Sequence, residues 1–182
     1  MGLGGGFTSA SGNAGRLYQG GFPTLDFQLV YWFDFHFAFS LGIQNSKHSY
    51  DVQPDGLTSV NLFRFIPQIR YYFDTHDLSA PLAFVGPHLL AGAGIYKRTD
   101  NIGSGTGATT TGGTIQEEQA VGFNAGLGFE LTLKPKKTFL DLNAAAHFVS
   151  FNDQFDTKFA TSGIADKTGT WYSFGMMLLF TW

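Results

Sequence analysis

The sequence predicts an all-β fold, an eight-stranded antiparallel up-and-down transmembrane β-barrel occupying 1–182 as a single domain. Three observations carry this. Apolar residues alternate with small or polar ones over eight segments, the mark of strands with two unlike faces. The connections between segments alternate between long and short, as in a meander whose tight turns gather at one end. Finally, the apolar face holds more large side chains than a barrel this narrow can enclose, since eight strands leave an interior just wide enough for side chains to fill.

Strands are expected near 1–8, 24–33, 35–45, 58–73, 82–98, 118–133, 138–151 and 170–182. Long connections fall at 9–23, 46–57, 99–117 and 152–169. Short ones fall at Phe33-Asp34, at 74–81 and at the KPKK run 134–137. In the second strand Leu25, Phe27, Leu29 and Tyr31 oppose Asp26, Gln28 and Val30, and in the third Phe35 to Ile43 alternates with His36 to Gln44. The fourth sets Phe63, Phe65, Pro67, Ile69 and Tyr71 against Arg64, Ile66, Gln68 and Arg70. The fifth alternates Val85 to Ile95 with Gly86, His88, Leu90, Gly92 and Gly94. Alternation is clearest in the sixth, where Val121, Phe123, Ala125, Leu127, Phe129 and Leu131 oppose Gly122, Asn124, Gly126, Gly128 and Glu130. The seventh opposes Leu140, Leu142, Ala144, Ala146 and Phe148 to Asp141, Asn143, Ala145 and His147; the last sets Tyr172 to Trp182 against Ser173 to Thr181.

The glycine-rich polar face fits inside such a barrel, and the apolar face then needs an apolar solvent, because an exposed belt of that extent would not stay dispersed in water. A bilayer supplies it, and each strand has about the 9 to 11 residues that a tilted spanning strand requires. Closure also satisfies every backbone amide in hydrocarbon. Aromatic residues predict two girdles. Trp32, Phe33, Tyr71, Tyr72, Phe73, Phe139, Phe180 and Trp182 fall near the short turns, and Phe7, Phe22, Phe63, Phe123, Phe151, Trp171 and Tyr172 near the long loops. Pro67 and Pro87 fall inside neighbouring strands, where proline lacks the ladder donor, so a local bulge is expected there.

Composition narrows the function classes. With no cysteine, disulfides and thiolate metal sites are excluded. A net charge of -3 gives no basic surface for nucleic acid. No run of about 18 apolar residues encodes a transmembrane helix, and the chain does not begin with a signal-like segment, so any export signal is expected to have been removed or never to have been present.

FIPQIRYYF at 65–73 followed by FVGPHLLAGAGIY at 84–96, the first strand GLGGGF, GFNAGLGFEL at 122–131 and the end FGMMLLFTW resemble the small eight-stranded outer-membrane proteins of Gram-negative bacteria, the OmpA, OmpX and OmpW-like barrels. The resemblance spans the whole chain. It implies an outer-membrane location among lipid and lipopolysaccharide, with short turns in the periplasm and four long loops outside the cell. It also implies that the C-terminal strand is read by the barrel-assembly machinery, and that an extracellular partner could bind the long loops.

The polar face predicts a lumenal network of Asp26, His36, Arg64, Arg70, His88, Glu130, Asp141 and His147. Buried charges must be paired, so a structural ion-pair and hydrogen-bond network is the expectation, with a gated pore as the alternative. Some barrels of the resembled group modify lipid A, but His147 and Ser150, three apart on a strand, face opposite sides and cannot act as base and nucleophile. His48-Ser49-Tyr50-Asp51 reads as a solvated turn rather than a triad. The run GSGTGATTTGGT at 103–114 lacks the ending of a phosphate loop and reads as a flexible or partner-binding loop. No cofactor and no metal is expected. The reading is therefore a monomeric, non-enzymatic envelope barrel with a plugged lumen and a structural or loop-binding role; the alternative is a narrow channel or lateral conduit for small hydrophobic molecules.

Overall fold

A computed structural model of the chain describes residues 1–75, 85–102, 113–135 and 137–181. Eight strands, β1 (Gly2–Ala10), β2 (Thr24–Trp32), β3 (Phe37–Val52), β4 (Gly56–Tyr72), β5 (Val85–Ile102), β6 (Thr114–Lys134), β7 (Thr138–Val149) and β8 (Trp171–Phe180), form a closed barrel in chain order. Every neighbouring pair is antiparallel, and β1 closes the ring by pairing β8 from Gly2↔Leu179 to Ala10↔Trp171. The β1–β2 connection carries a short helix, α1 (Gly12–Leu17), and the β7–β8 connection a single 3₁₀ turn at Ala160–Ser162. None of the described helices is long and apolar enough to cross a membrane.

Strand parity sorts the side chains as the alternation requires. Leu3, Leu25, Tyr31, Ile69, Val121, Phe123, Leu127, Phe148, Phe174 and Met176 stand exposed on the outer wall, whereas Asp26, Gln28, Arg64, Arg70, Asn124 and Asp141 are buried within it. Lipid-facing bulk outside and polar groups inside is the inverse of a water-soluble sheet.

Four strands run well beyond the apolar belt. Along the outer face, residues change from apolar to polar between Ile43 and Asn45 on β3, Phe63 and Asn61 on β4, Ile95 and Lys97 on β5, and Val121 and Gln119 on β6. The connection expected as a long loop at 46–57 is thus largely strand, and so are the described ends of 99–117, at 99–102 and 114–117. β3 and β4 stay paired up to Val52↔Gly56, and β5 and β6 up to Asn101↔Thr114. Both faces of these extensions are polar in part, so the hydrophobic alternation that marks a spanning strand fades although the ladder continues. Residues 103–112 of the predicted loop, 76–84 with most of the short connection expected at 74–81, residue 136 and Trp182 lie outside the described residues.

The proline bulges are not found. Pairs between β4 and β5 are missing at Ile66 and Pro67, yet the register is the same on both sides, Phe65↔Ile95 and Gln68↔Gly92. Proline removes a donor without adding a residue, so the ladder skips a rung rather than slipping. Pro87 pairs Phe129 in register. The register shifts fall instead at Asp100/Asn101 and Thr132/Lys134, near the strand ends.

The girdle assignment needs five corrections. Trp32, Tyr72 and Phe139 follow the inward parity of their strands, and Phe151 and Trp171 are buried at 5% and 3% exposure. These last two join Leu17, Tyr18, Tyr50, Phe159 and Ile164 in an apolar cluster beneath the outer connections, reaching down to Leu62, Ile66 and Tyr96 on the inner wall. The outer part of the interior therefore holds an apolar cluster as well as polar groups.

Candidate functional site

The candidate site is the barrel interior, where residues two apart along each strand stack into layers. Nearest the short turns, Tyr72 Oη donates to Glu130 Oε2 at 3.0 Å. Above it, Arg70 Nη1 donates to Asp141 Oδ2 at 3.0 Å, both side chains fully buried, and Arg70 Nη2 bonds the Gln28 side-chain carbonyl. His88 Nε2 lies 3.6 Å from Asp141 Oδ1. This joins β2, β4, β5 and β7, and places the cation of one wall against the anion of the other. Removing either would strand a buried charge.

A middle layer is built from amides and imidazole. Gln44 Nε2 donates to Asp26 Oδ2 at 2.7 Å, and Gln28 Nε2 reaches the same carboxylate at 3.3 Å. Gln44 Oε1 in turn accepts from Arg64 Nη1 at 3.2 Å, so the amide links the Arg64 and Asp26 charges without direct contact. Arg64 Nη1 also lies 3.5 Å from His147 Nε2. His147 is held from both sides, by Ser173 Oγ at 2.8 Å and Tyr96 Oη at 3.0 Å. Serine beside histidine has the spacing of nucleophile and base, but both are buried, at 4% and 1% exposure, and the imidazole is fully engaged by neighbours.

The third layer lies under the outer connections. Arg98 Nε donates to Asp100 Oδ1 at 3.2 Å and Arg98 Nη2 bonds Asp153, while Lys167 Nζ meets Asp153 Oδ2 at 2.6 Å. Lys158 Nζ meets Asp55 Oδ2 at 2.6 Å on the β3–β4 turn. The Arg98 guanidinium carbon stands 4.9 Å from the Phe151 ring centroid. Burial disfavours the Asp153 carboxylate, but its bonds to Arg98 and Lys167 outweigh that and hold it below the usual carboxylate range. The β7–β8 connection is thereby clasped over the outer mouth.

Of the eight sequence-predicted residues, Asp26, Arg64, Arg70, His88, Asp141 and His147 are buried in the interior, and Glu130 faces inward at the short-turn mouth. His36 does not belong with them. It lies exposed in the turn between β2 and β3, its N–H donating to Asp34 Oδ1 at 2.7 Å, because β3 begins only at Phe37 and parity holds no further. His88 and His147 sit in different layers, so the three histidines do not converge, and no group of three or more metal-ligating side chains occurs among the described residues. Sequence reasoning missed Ser173, Tyr72, Tyr96, Arg98, Asp100, Asp153 and Lys167. Tyr96, Arg98 and Asp100 were accessible by continuing the inward parity of His88, Gly92 and Gly94; Asp153 and Lys167 sit in a connection with no period.

No family model matches the sequence, and no curated protein matches it. Among solved structures the chain is similar to Neisserial surface protein A, with a TM-score of 0.65 and 14% identity over 100% of this chain and 95% of that one. The fold is that of a small eight-stranded outer-membrane barrel. It is also similar to Ail, the attachment invasion locus protein of Yersinia pestis, in a complex with the heparin analogue sucrose octasulfate, with a TM-score of 0.54 and 13% identity over 98% and 95% of the two chains. In a barrel of this fold the exposed apolar belt faces lipid, and the two layers nearer the short turns lie behind it.

Proposed function

We propose that this barrel is a non-enzymatic, non-conducting membrane anchor that presents a protruding β-sheet to an extracellular polypeptide. The observation that carries the reading is an open edge. β7 pairs β6 only from Val149↔Gly122 inward, so the outer part of β6, Thr114–Val121, has β5 on one side and, among the described residues, no strand on the other. Among the described residues, no backbone hydrogen bond reaches that segment from the β7 side. At the opposite side of the same sheet, the β3 edge is met by the Gln19↔Ser49 bridge. An unpaired strand outside the membrane is a template for main-chain pairing with an extended segment.

Charge leaves a polyanion such as the one bound to Ail only Arg16 and Lys47 as described outer-end cations outside the ion pairs. Lys97, Lys158 and Lys167 at the outer end are each engaged by a carboxylate, of Glu117, Asp55 and Asp153. The closed ladder from β1 round to β8 supports a wall without a lateral gap, and the three interior layers together with the aromatic cluster support a plugged lumen. The C-terminal strand, with Tyr172, Phe174, Met176, Leu178 and Phe180 outward, fits recognition by the assembly machinery. The experiment compares external polypeptide binding by the intact barrel in nanodiscs with that of a chain trimmed of 99–117. The trimmed barrel should keep its heat-modifiable gel mobility and lose binding; full retention of binding overturns the reading.

A further inference from the structure

At the short-turn mouth, the inward-facing residues include Trp32 on β2, Tyr72 on β4, Glu130 on β6 and Phe139 on β7. With Phe33 and Phe35 of the β2–β3 turn they line an open hollow of about 710 Å³, within the range of small-molecule sites. Phe35 is 97% exposed and also borders a second hollow of about 370 Å³ beside Tyr72. Bulky rings thus surround an entrance into which Glu130 faces from β6.

The polar groups here are unevenly committed. Asp34 also lines the hollow, but its carboxylate accepts the N–H groups of His36 and Phe37, each at 2.7 Å, and so serves the turn. Glu130 receives only the Tyr72 hydroxyl, and among the described residues no basic group lies within ion-pair distance of it. The nearest cation in the layer above, Arg70, is held by Asp141. Lys134 and Lys137 are exposed on the β6–β7 turn and do not line the hollow. Among the described residues, no arginine or lysine stands over the rings of Trp32, Phe33, Phe35, Tyr72 or Phe139, although four such contacts occur at the outer end.

Aromatic faces carry negative quadrupole charge, and carboxylates among them add to it, which together favour a cation with an apolar skin. A bare divalent ion would want several oxygen ligands, which this wall does not offer. An anion would meet repulsion from Glu130. We propose that the short-turn mouth, which faces the periplasm in barrels of this fold, is a binding site for a small organic ammonium ion, with Glu130 as its counter-charge and the Trp32, Tyr72 and Phe35 rings as its walls.

Choline and its uncharged isostere 3,3-dimethylbutan-1-ol separate charge from shape. The barrel is studied in sugar-headed detergent micelles, where no choline headgroup competes, and the Trp32 indole N–H signal is followed by NMR. Choline should give a saturable shift, with the neutral alcohol binding about tenfold more weakly or less, as expected when a desolvated cation–aromatic contact is lost. Glu130→Gln should weaken choline by a similar factor. Phe35→Ser, at a position too exposed to matter for folding, should weaken choline while leaving the amide spectrum of the strands intact. The proposal is overturned if choline does not saturate, if Glu130→Gln folds and binds as the wild type does, if Phe35→Ser leaves binding unchanged, or if the neutral alcohol matches choline.

Discussion

Replacing Asp141 by asparagine removes one charge from a pair whose members are both wholly shielded from solvent and lie 3.0 Å apart. At an effective dielectric of about 20, two unit charges at that distance attract by roughly 5 kcal/mol. Asparagine keeps the shape and one acceptor, returning about 1 kcal/mol as a neutral hydrogen bond. Gln28 still accepts from the guanidinium, and Glu130 and Asp26 soften the uncompensated charge from neighbouring layers. The expected loss is therefore near the lower end of the range for breaking a buried pair, about 3 kcal/mol. Equilibrium unfolding in guanidinium from phospholipid vesicles, followed by tryptophan fluorescence, measures it. Arg70→Met combined with Asp141→Leu removes both charges and should cost less than Asp141→Asn, because neither charge of the pair is left buried alone, although Gln28 loses its donor. A cycle built from the singles should show strong coupling. Loss of under about 1 kcal/mol for Asp141→Asn, or additive single effects, would refute the claim that this pair organises the inner layer.

Two further outcomes follow from the outer layer and the interior as a whole. The folded Asp153 carboxyl is held below its unfolded value of about 3.9, so its contribution is present at neutral pH and is lost only as pH falls through the folded value. Limited proteolysis within 150–170 should then be unchanged from pH 7 down to about pH 5 and rise only below about pH 4; Asp153→Asn should be cut readily at pH 7, and opening near pH 6 would contradict the clasp. In planar bilayers the wild-type barrel should be electrically silent, and a steady unitary conductance that changes on replacing Arg64 or Arg70 would favour the channel instead.

The interior was legible residue by residue where the period held. Asp26, Arg64, Arg70, His88, Asp141 and His147 were placed inside by parity alone, since a strand offers only two faces. His36 shows the limit: one residue short of β3, it follows the turn and not the pleat. The strand extensions escaped for a related reason. Lys47, Ser49 and Asp51 alternate with His48 and Tyr50 on a ladder that no longer faces lipid, so hydrophobicity stops reporting the fold while the backbone pairing goes on. Pro67 was misjudged because a missing donor and an extra residue are different defects, and only the second bends a strand.

What the chain's order of residues determined was local: eight strands, which face of each is oily, and that the oil must point outward because the inside is too small for it. What only the closed barrel decided was partnership. Arg70 and Asp141 are 71 positions apart, on strands that do not pair each other, and they meet across the lumen solely because the sheet curls on itself. The same curling seats Asp153 against Arg98, brings Trp32, Tyr72, Glu130 and Phe139 to one rim, and leaves the outer part of β6 without a neighbour. Periodicity is a property of a few consecutive side chains, whereas contact across an enclosed space depends on strand number, register and length all at once.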